Sequence, residues 1–515
     1  PIMYLTNGYL IFLILLIAWA GVLLAVRQLK SAKHISLYGP TVMLKTEGGI
    51  KLIERASKTK FWIRYGDFAI VVGIITMIAT TGFIAWEATL VFLVPKSSAP
   101  SIQTLLAIPG LNPLIPLSYG LISIIIGVVL HELSHGLVAA SQKLKVKTVG
   151  ALLFIVPIGA FVELDEKELN EAARLKRMRV QAAGTMTNLV IASVMLLLFL
   201  SSFSGVTPIM SGAVITQTYH NVNPGLHDGM EIVSLGDAQI SVNALDNIMV
   251  KPGVLTNATI IYNGKTEFTQ VYPGVTIIQV FRGTPAAAAG LQSGDLIVSI
   301  NGTTIYNEEN LSTYLDATKA GQSITLDYLQ LNNQSIRELN ATMILMNKYT
   351  FYASYQPSVN SFLFNGTGFM GISTAYMGLE AIDASTIPEI MSNPFNYTHN
   401  LTSGALLLLF LPYMGLSPLP NSITQLYRTP LSPAIFWPLI NTVYWLFWIN
   451  LLLGMTNLLP LLPFDGGYIF KDTVQAIAKR LGVREDERTS TAVALAATAL
   501  IVGLFVWLVI GPLII

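Results

Sequence analysis

His131, Glu132 and His135 stand together in the stretch His131-Glu132-Leu133-Ser134-His135. Residues four apart share one face of an α-helix, so both imidazoles can reach a single cation. Histidines at this spacing suit zinc, and a glutamate beside the first of them is placed to take a proton from water held at the metal. The flanking residues give this chemistry an unusual address. Leu117 to Leu130 before the motif and Gly136 to Ala140 after it are apolar, so the helix reads as membrane-spanning. Ionisable groups inside a bilayer are costly and mark functional sites. The chain has six histidines and no cysteine, which excludes disulfides, thiolate metal sites and a thiol nucleophile.

A third ligand is found far downstream. An apolar run from Ala434 to Leu459 ends in Asn457-Leu458-Leu459-Pro460-Leu461-Leu462-Pro463-Phe464-Asp465-Gly466-Gly467. Two prolines break the helix, and broken backbone at membrane depth is tolerated only where protein or a cavity receives it. Asp465 is then an ionisable residue at a membrane face. With His131 and His135 it would complete a site of two histidines and one carboxylate for one Zn2+, leaving a position open for water.

The rest of the chain must bring these residues to one depth. Of 515 residues, 52% are hydrophobic and 11% charged, against about a quarter charged in soluble proteins. Mean hydropathy is +0.59. A net charge of +1 without a basic, aromatic-studded stripe gives no reason to expect nucleic acid. The composition predicts a polytopic α-helical membrane protein of about six transmembrane helices: Gly8–Val26, Phe68–Val94, Leu117–Ala140, Val180–Phe203, Ala434–Leu459 and Thr491–Ile510. The first is read as a retained helix rather than a cleaved signal. The basic loop from Arg27 to Arg64, the run Arg174 to Arg179 and the Lys/Arg residues after Asp465 are assigned to the cytoplasm. Both termini then lie outside, and the His131–His135 stretch lies in the cytoplasmic half of an inward-running helix. Parity makes Leu401–Leu419 a re-entrant or interfacial segment, because counting it as a crossing would put Asp465 on the wrong side. Val149–Val162, apolar but short and rich in β-branched residues, reads as a hairpin or re-entrant loop.

Between residues 205 and 400 the chain turns polar and strand-like, with eight Asn-x-Ser/Thr sequons and none elsewhere. That confinement supports an extracytoplasmic location. An internal repeat runs through it: Gly225 to Asp237 matches Gly290 to Gly302 at a spacing of 65. The second copy, opened by Gly283-Thr284-Pro285-Ala286, resembles a PDZ domain, and the first resembles it more loosely. The resemblance implies binding of extended peptide ends by strand addition. The domains expected are 1–115 (two helices and the basic loop), 116–204 (first half of the core), 205–272 and 273–348 (tandem PDZ-like), 349–432 (linker and re-entrant segment) and 433–515 (second half of the core). His220, His227 and His399 have no partner at ligand spacing and read as loop histidines.

The chain resembles the site-2 protease family of intramembrane zinc metalloproteases. The matching residues are His131-Glu132-Leu133-Ser134-His135 and Asn457-x-x-Pro460-x-x-Pro463-x-Asp465-Gly466, supported by the hairpin, by Gly184 to Asn188 and by the PDZ-like insertion. The resemblance covers roughly residues 117 to 510. It implies hydrolysis of peptide bonds in transmembrane protein substrates, with Glu132 as general base and Zn2+ held by His131, His135 and Asp465. It also implies that an unwound substrate strand lies along the Val149–Val162 hairpin and Asn457. Two other classes fit parts of the chain: another membrane zinc endopeptidase sharing only the first motif, and a non-catalytic receptor or scaffold built on the PDZ-like domains.

Overall fold

The computed structural model describes residues 17–28, 35–91, 103, 108–154, 156–209, 212–219, 222–240, 248–332, 335–355, 364–482 and 487–514. The start of the first expected span, most of the helix-like piece near Asn243, His220 and the sequon at Asn333 lie outside the described residues. The chain divides into two compact units, residues 1–198 with 440–515, and residues 199–439.

In the first unit the basic loop is not a bare connection. It forms a strand pair, β1 (Ile35–Tyr38) and β2 (Thr41–Thr46), and a helix α1 (Glu47–Ala56). Two long helices follow, α2 (Phe61–Leu90) and α3 (Leu117–Ser141), the latter carrying the HExxH residues. The expected hairpin is present as β3 (Val146–Phe154) and β4 (Val156–Leu164). These four strands make one sheet in the order β1-β2-β3-β4, with Val42 to Thr46 paired to Leu153 to Val149. The close approach of β2 requires Gly150, where a Cβ would fall on the Leu44 carbonyl oxygen. The sheet thus covers β3 and leaves β4 as an edge. The chain then enters α4 (Arg174–Ser202).

The second unit holds two sheets of the same design. β5 (Thr207–Pro208) leads into β6 (Ala213–Thr218), β7 (Glu231–Leu235), β8 (Ala238–Gln239), β9 (Thr256–Tyr262) and β10 (Lys265–Val271). The second copy runs β11 (Val275–Val280), β12 (Leu296–Ile300), β13 (Thr303–Thr304), β14 (Ser323–Asn332) and β15 (Ser335–Ile344). β16 (Met346–Asn347) pairs β17 (Gly368–Phe369). Residues 349–432 are not the linker that was expected. β18 (Ile372–Tyr376) closes the second sheet beside β11, and β19 (Leu379–Asp383) closes the first beside β6, giving the orders β15-β14-β12-β11-β18 and β10-β9-β7-β6-β19. The second sheet is therefore inserted before the last strand of the first. The repeat extends to irregularities: the register slips between Ile232 and Ser234 in one copy and between Ile297 and Ser299 in the other. Leu401–Phe410 forms α5, a helix of 10 residues, half the ~20 that a crossing needs. β20 (Tyr427–Arg428) pairs back to β5.

Three helices complete the chain: α6 (Pro433–Asn457), α7 (Asp465–Arg480) and α8 (Glu487–Ile514). Among the described residues, five helices are long and apolar enough to cross a membrane: α2, α3, α4, α6 and α8. The sixth expected span is represented by the shorter apolar helix Ile17–Gln28. Several spans begin earlier than their apolar runs, because polar first turns such as Arg174 to Arg179 are helical too. Helices in a bilayer approach closely where side chains are small. Gly127 on α3 faces Asn450 of α6, and a Cβ there would meet Oδ1 at 2.7 Å. A core of Ala69, Ile70, Met77, Met178, Ala182, Met186, Leu458 and Ile469 joins α2, α4 and α7.

Candidate metal centre

α3 presents His131 and His135 on one face, and their rings meet with Nε2 atoms 3.0 Å apart. Asp465 opens α7, and its Oδ2 lies 3.3 Å from His131 Nε2 and 3.4 Å from His135 Nε2. These three form the group of potential metal ligands found among the described residues. Metal–ligand distances near 2.05 Å in a tetrahedral site place ligand atoms ~3.3 Å apart, so the triangle has the size of one zinc coordination face. All three side chains are at most 15% exposed.

The outer ring nitrogens decide whether Nε2 is free to ligate. His135 Nδ1 lies 2.7 Å from the Val180 carbonyl oxygen, which can only accept. The proton is therefore on Nδ1, and the Nε2 lone pair faces the cluster. His131 Nδ1 lies 3.1 Å from the side-chain amide of Asn188, which is 1% exposed. Asn188 Oδ1 has no partner as the amide is drawn. Turned end for end, the amide lets Oδ1 accept from Nδ1–H. Reversal satisfies the orphaned oxygen and frees His131 Nε2 for a metal. The donor set thus fits a zinc ion.

α4 fits against the pair through Gly184, where a Cβ would stand 2.5 Å from His135 Nε2. Ser134 Oγ, the polar residue inside the motif, donates to the Leu130 carbonyl and lies 2.6 Å from Thr187 Oγ1 of α4, which also meets Tyr65 Oη of α2.

Asp465 owes its place to two features. Gly466 and Gly467 let the first turn of α7 press on the broken segment, since a Cβ at either would overlap the backbone of Leu458, Leu459 or Leu461. Almost two helix turns along α7, Asp472 is clamped by Arg177 of α4, with Nε to Oδ2 at 3.2 Å and a second bond of 2.5 Å from Nη2 to Oδ1. Arg177 also donates to the carbonyls of Asn170 and Ala172. Sequence reasoning missed this pair; two charges almost 300 residues apart announce nothing by spacing.

Glu132 is half-buried and its Oε2 accepts from the Val162 N–H of β4 at 3.3 Å. Asn457 ends α6 and is half-buried; it is not one of the three grouped ligands.

Among known proteins, the model of peptidase family M50 matches residues 119–502. The uncharacterized protein MJ0971 of Methanocaldococcus jannaschii is 27% identical over 245 residues, spanning 47% of this chain and 61% of that protein. Solved structures of PDZ domains are also similar. The PDZ domain of an SdrC-like protein from Listeria monocytogenes has 22% identity and a TM-score of 0.15, covering 20% of this chain and 90% of that one. Its counterpart from Listeria innocua has 24% identity and a TM-score of 0.15, covering 20% and 92%.

Proposed function

The chain belongs to peptidase family M50, a family of metallopeptidases, and on that premise we propose that it is an intramembrane zinc protease. Its substrates are membrane-anchored, regulatory proteins cut within or near their transmembrane segments. The observation that carries this reading is the triangle of His131, His135 and Asp465 donors, 3.0–3.4 Å on a side, with both histidines on a helix fit to span a membrane and Asp465 following the end of another. Zinc held there would supply Lewis acidity, polarising the scissile carbonyl and lowering the pKa of a water.

The chain's own residues do the rest. Glu132 takes the proton of the attacking water as general base and returns it to the leaving amine as general acid. The Val162 N–H holds the carboxylate where it serves. A helical substrate must unwind before its peptide bond is reached. β4, the edge of a four-stranded sheet, offers it backbone partners by strand addition, and Asn457 is a further polar partner for the strand. The site faces the cytoplasm, both termini lie outside, and the two sheets of the second unit are extracytoplasmic, PDZ-like modules that screen substrates by their free ends.

The test is a zinc assay paired with cleavage of a membrane-spanning peptide in liposomes. The parent should cleave and carry one zinc per chain. Glu132→Gln should keep the zinc and lose at least ~100-fold in rate, the usual contribution of a positioned acid–base group. Equal behaviour of parent and variant with zinc intact leaves the scaffold reading.

A further inference from the structure

Away from the metal centre, two stretches of the first unit enclose a cavity of about 640 Å3, a volume in the range of small-ligand sites. One wall is the connection from α1 to α2, with Glu54, Lys58, Thr59 and Lys60; the other is the turn from α3 to β3, with Lys143 and Lys145. Four ammonium groups thus line it against one carboxylate. Among the described residues none of the four makes an ion pair, whereas Lys147 on β3 is paired with Asp165 at 3.4 Å. Charge bias spreads basic residues over a membrane face. It does not make them converge, and Lys51, Arg55 and Arg64 of the same basic loop stay outside the lining.

Convergence has a backbone cost at Lys143. Its N–H donates to the Ala140 carbonyl and that of Leu144 to the Ala139 carbonyl, each at 3.0 Å, which closes α3. The φ of Lys143 is 63°, the left-handed conformation that glycine usually takes at such a helix end and that an L side chain disfavours. A lysine is therefore held where its backbone suits it least, and it lines the cavity.

The place of the cavity identifies the source of the anion that would match it. α2 begins at Phe61 and α3 ends at Ser141, and both are fit to cross a membrane. The cavity thus lies where two spans leave the bilayer. Phe61, Trp62 and Tyr65 pack their rings 5.1–5.8 Å apart at the first turn of α2, and Trp and Tyr belts mark the depth of lipid headgroups. That turn has no acidic residue and no side-chain cap, so the partial charge of the helix end has the same sign as the lysines.

We propose that this cavity binds the phosphate headgroup of an anionic membrane lipid. The phosphate bridges the two walls and ties the end of α3 and the root of the β3–β4 hairpin to the α1–α2 segment. It thereby braces the helix that carries His131 and His135 and the strand that holds Glu132. Lys58 and Lys60 precede the region of family match, which starts at residue 119. The site gives the N-terminal segment a task that the metal centre does not require of it.

Full-length protein in neutral detergent, titrated with dioleoyl phosphatidylglycerol and read by native mass spectrometry, tests this. One such lipid should be held at least ~10-fold more tightly than dioleoyl phosphatidylcholine. A basic residue at a membrane surface contributes about fivefold in affinity for anionic lipid, so Lys58→Gln with Lys143→Gln should weaken binding about 25-fold. Lys60→Gln with Lys145→Gln should do the same, so that a folding defect in one pair leaves the other to decide. Lys58→Arg with Lys143→Arg keeps the charge and should keep the binding. Lys51→Gln with Lys147→Gln removes equal charge outside the cavity and should change nothing. An equal loss in that last pair overturns the proposal, because the attraction would then be diffuse. Equal affinity for the two lipids overturns it as well. Inorganic phosphate that displaces phosphatidylglycerol at equal concentration overturns the lipid assignment in favour of a soluble phosphate.

Discussion

Asn188 is the residue whose role changes most between sequence and structure. In the sequence it closes the Gly184 to Asn188 stretch that supports the family resemblance; in the fold its amide meets His131 Nδ1. A group that fixes the tautomer and ring orientation of a ligating histidine typically accounts for 10–100-fold in metal affinity. Asn188→Ala should weaken zinc binding by about that factor in a competition titration, whereas Asn188→Asp, which can only accept, should retain it. Asn457 is assigned a different task, so Asn457→Ala should slow cleavage several-fold with zinc content unchanged. Loss of zinc in that variant would remove its substrate-binding role. HExxH spacing made His131, Glu132 and His135 legible because helix geometry alone puts them together. Nothing of that kind made the Val180 carbonyl visible as a partner of His135, since a backbone acceptor leaves no mark in the residue type.

At the scale of elements, α7 and β4 carry the arrangement. Arg177 and Asp472 tie α7 to α4, and the carboxylate is only 7% exposed. Breaking a buried pair from one side leaves an unpaired charge and costs about 3–5 kcal/mol. Arg177→Met should therefore lower both thermal stability and zinc occupancy, and Arg177→Met with Asp472→Leu should recover much of the stability. Recovery in neither measure would mean that the clamp does not hold Asp465. The edge strand makes a separate prediction. Proline at Ala160 removes a backbone donor from β4 and should reduce cleavage while zinc content and the Val162 bond to Glu132 persist, the latter read from the pH dependence of residual activity. The hairpin was visible in the sequence because its apolar run was too short to span and rich in β-branched residues. That β1 and β2 extend it was not, for Lys45, Thr46 and their neighbours read as a charged loop until β3 is there to pair with.

For the whole molecule, the repeated unit is nested rather than tandem. β18 and β19 are five residues each and come 28 or more residues after the strands of their own copy have ended. Strands that short carry little periodicity, and their place is chosen by the open edges of β11 and β6. The proposed topology is testable because the chain contains no cysteine. A single cysteine at Lys145 should be labelled by an impermeant maleimide only after the membrane is opened. One at Asn340, on a sheet of the second unit, should be labelled in intact cells. The reverse pattern would invert the assignment from charge bias.

Composition and periodicity determined that the chain is a membrane protein, that one helix carries two histidines at metal-ligand spacing with a glutamate between them, and that a broken helix end supplies a carboxylate. These are local properties: hydrophobic length and 3.6-residue geometry act on neighbours in sequence. Tertiary structure alone decided that Asp465 closes to 3.3 Å on His131, that β4 is the strand left open beside Glu132, and that Arg177 clamps Asp472. Each of those depends on contacts between segments tens to hundreds of residues apart, where close packing and the pairing of buried polar groups, rather than residue type or spacing, select the partner.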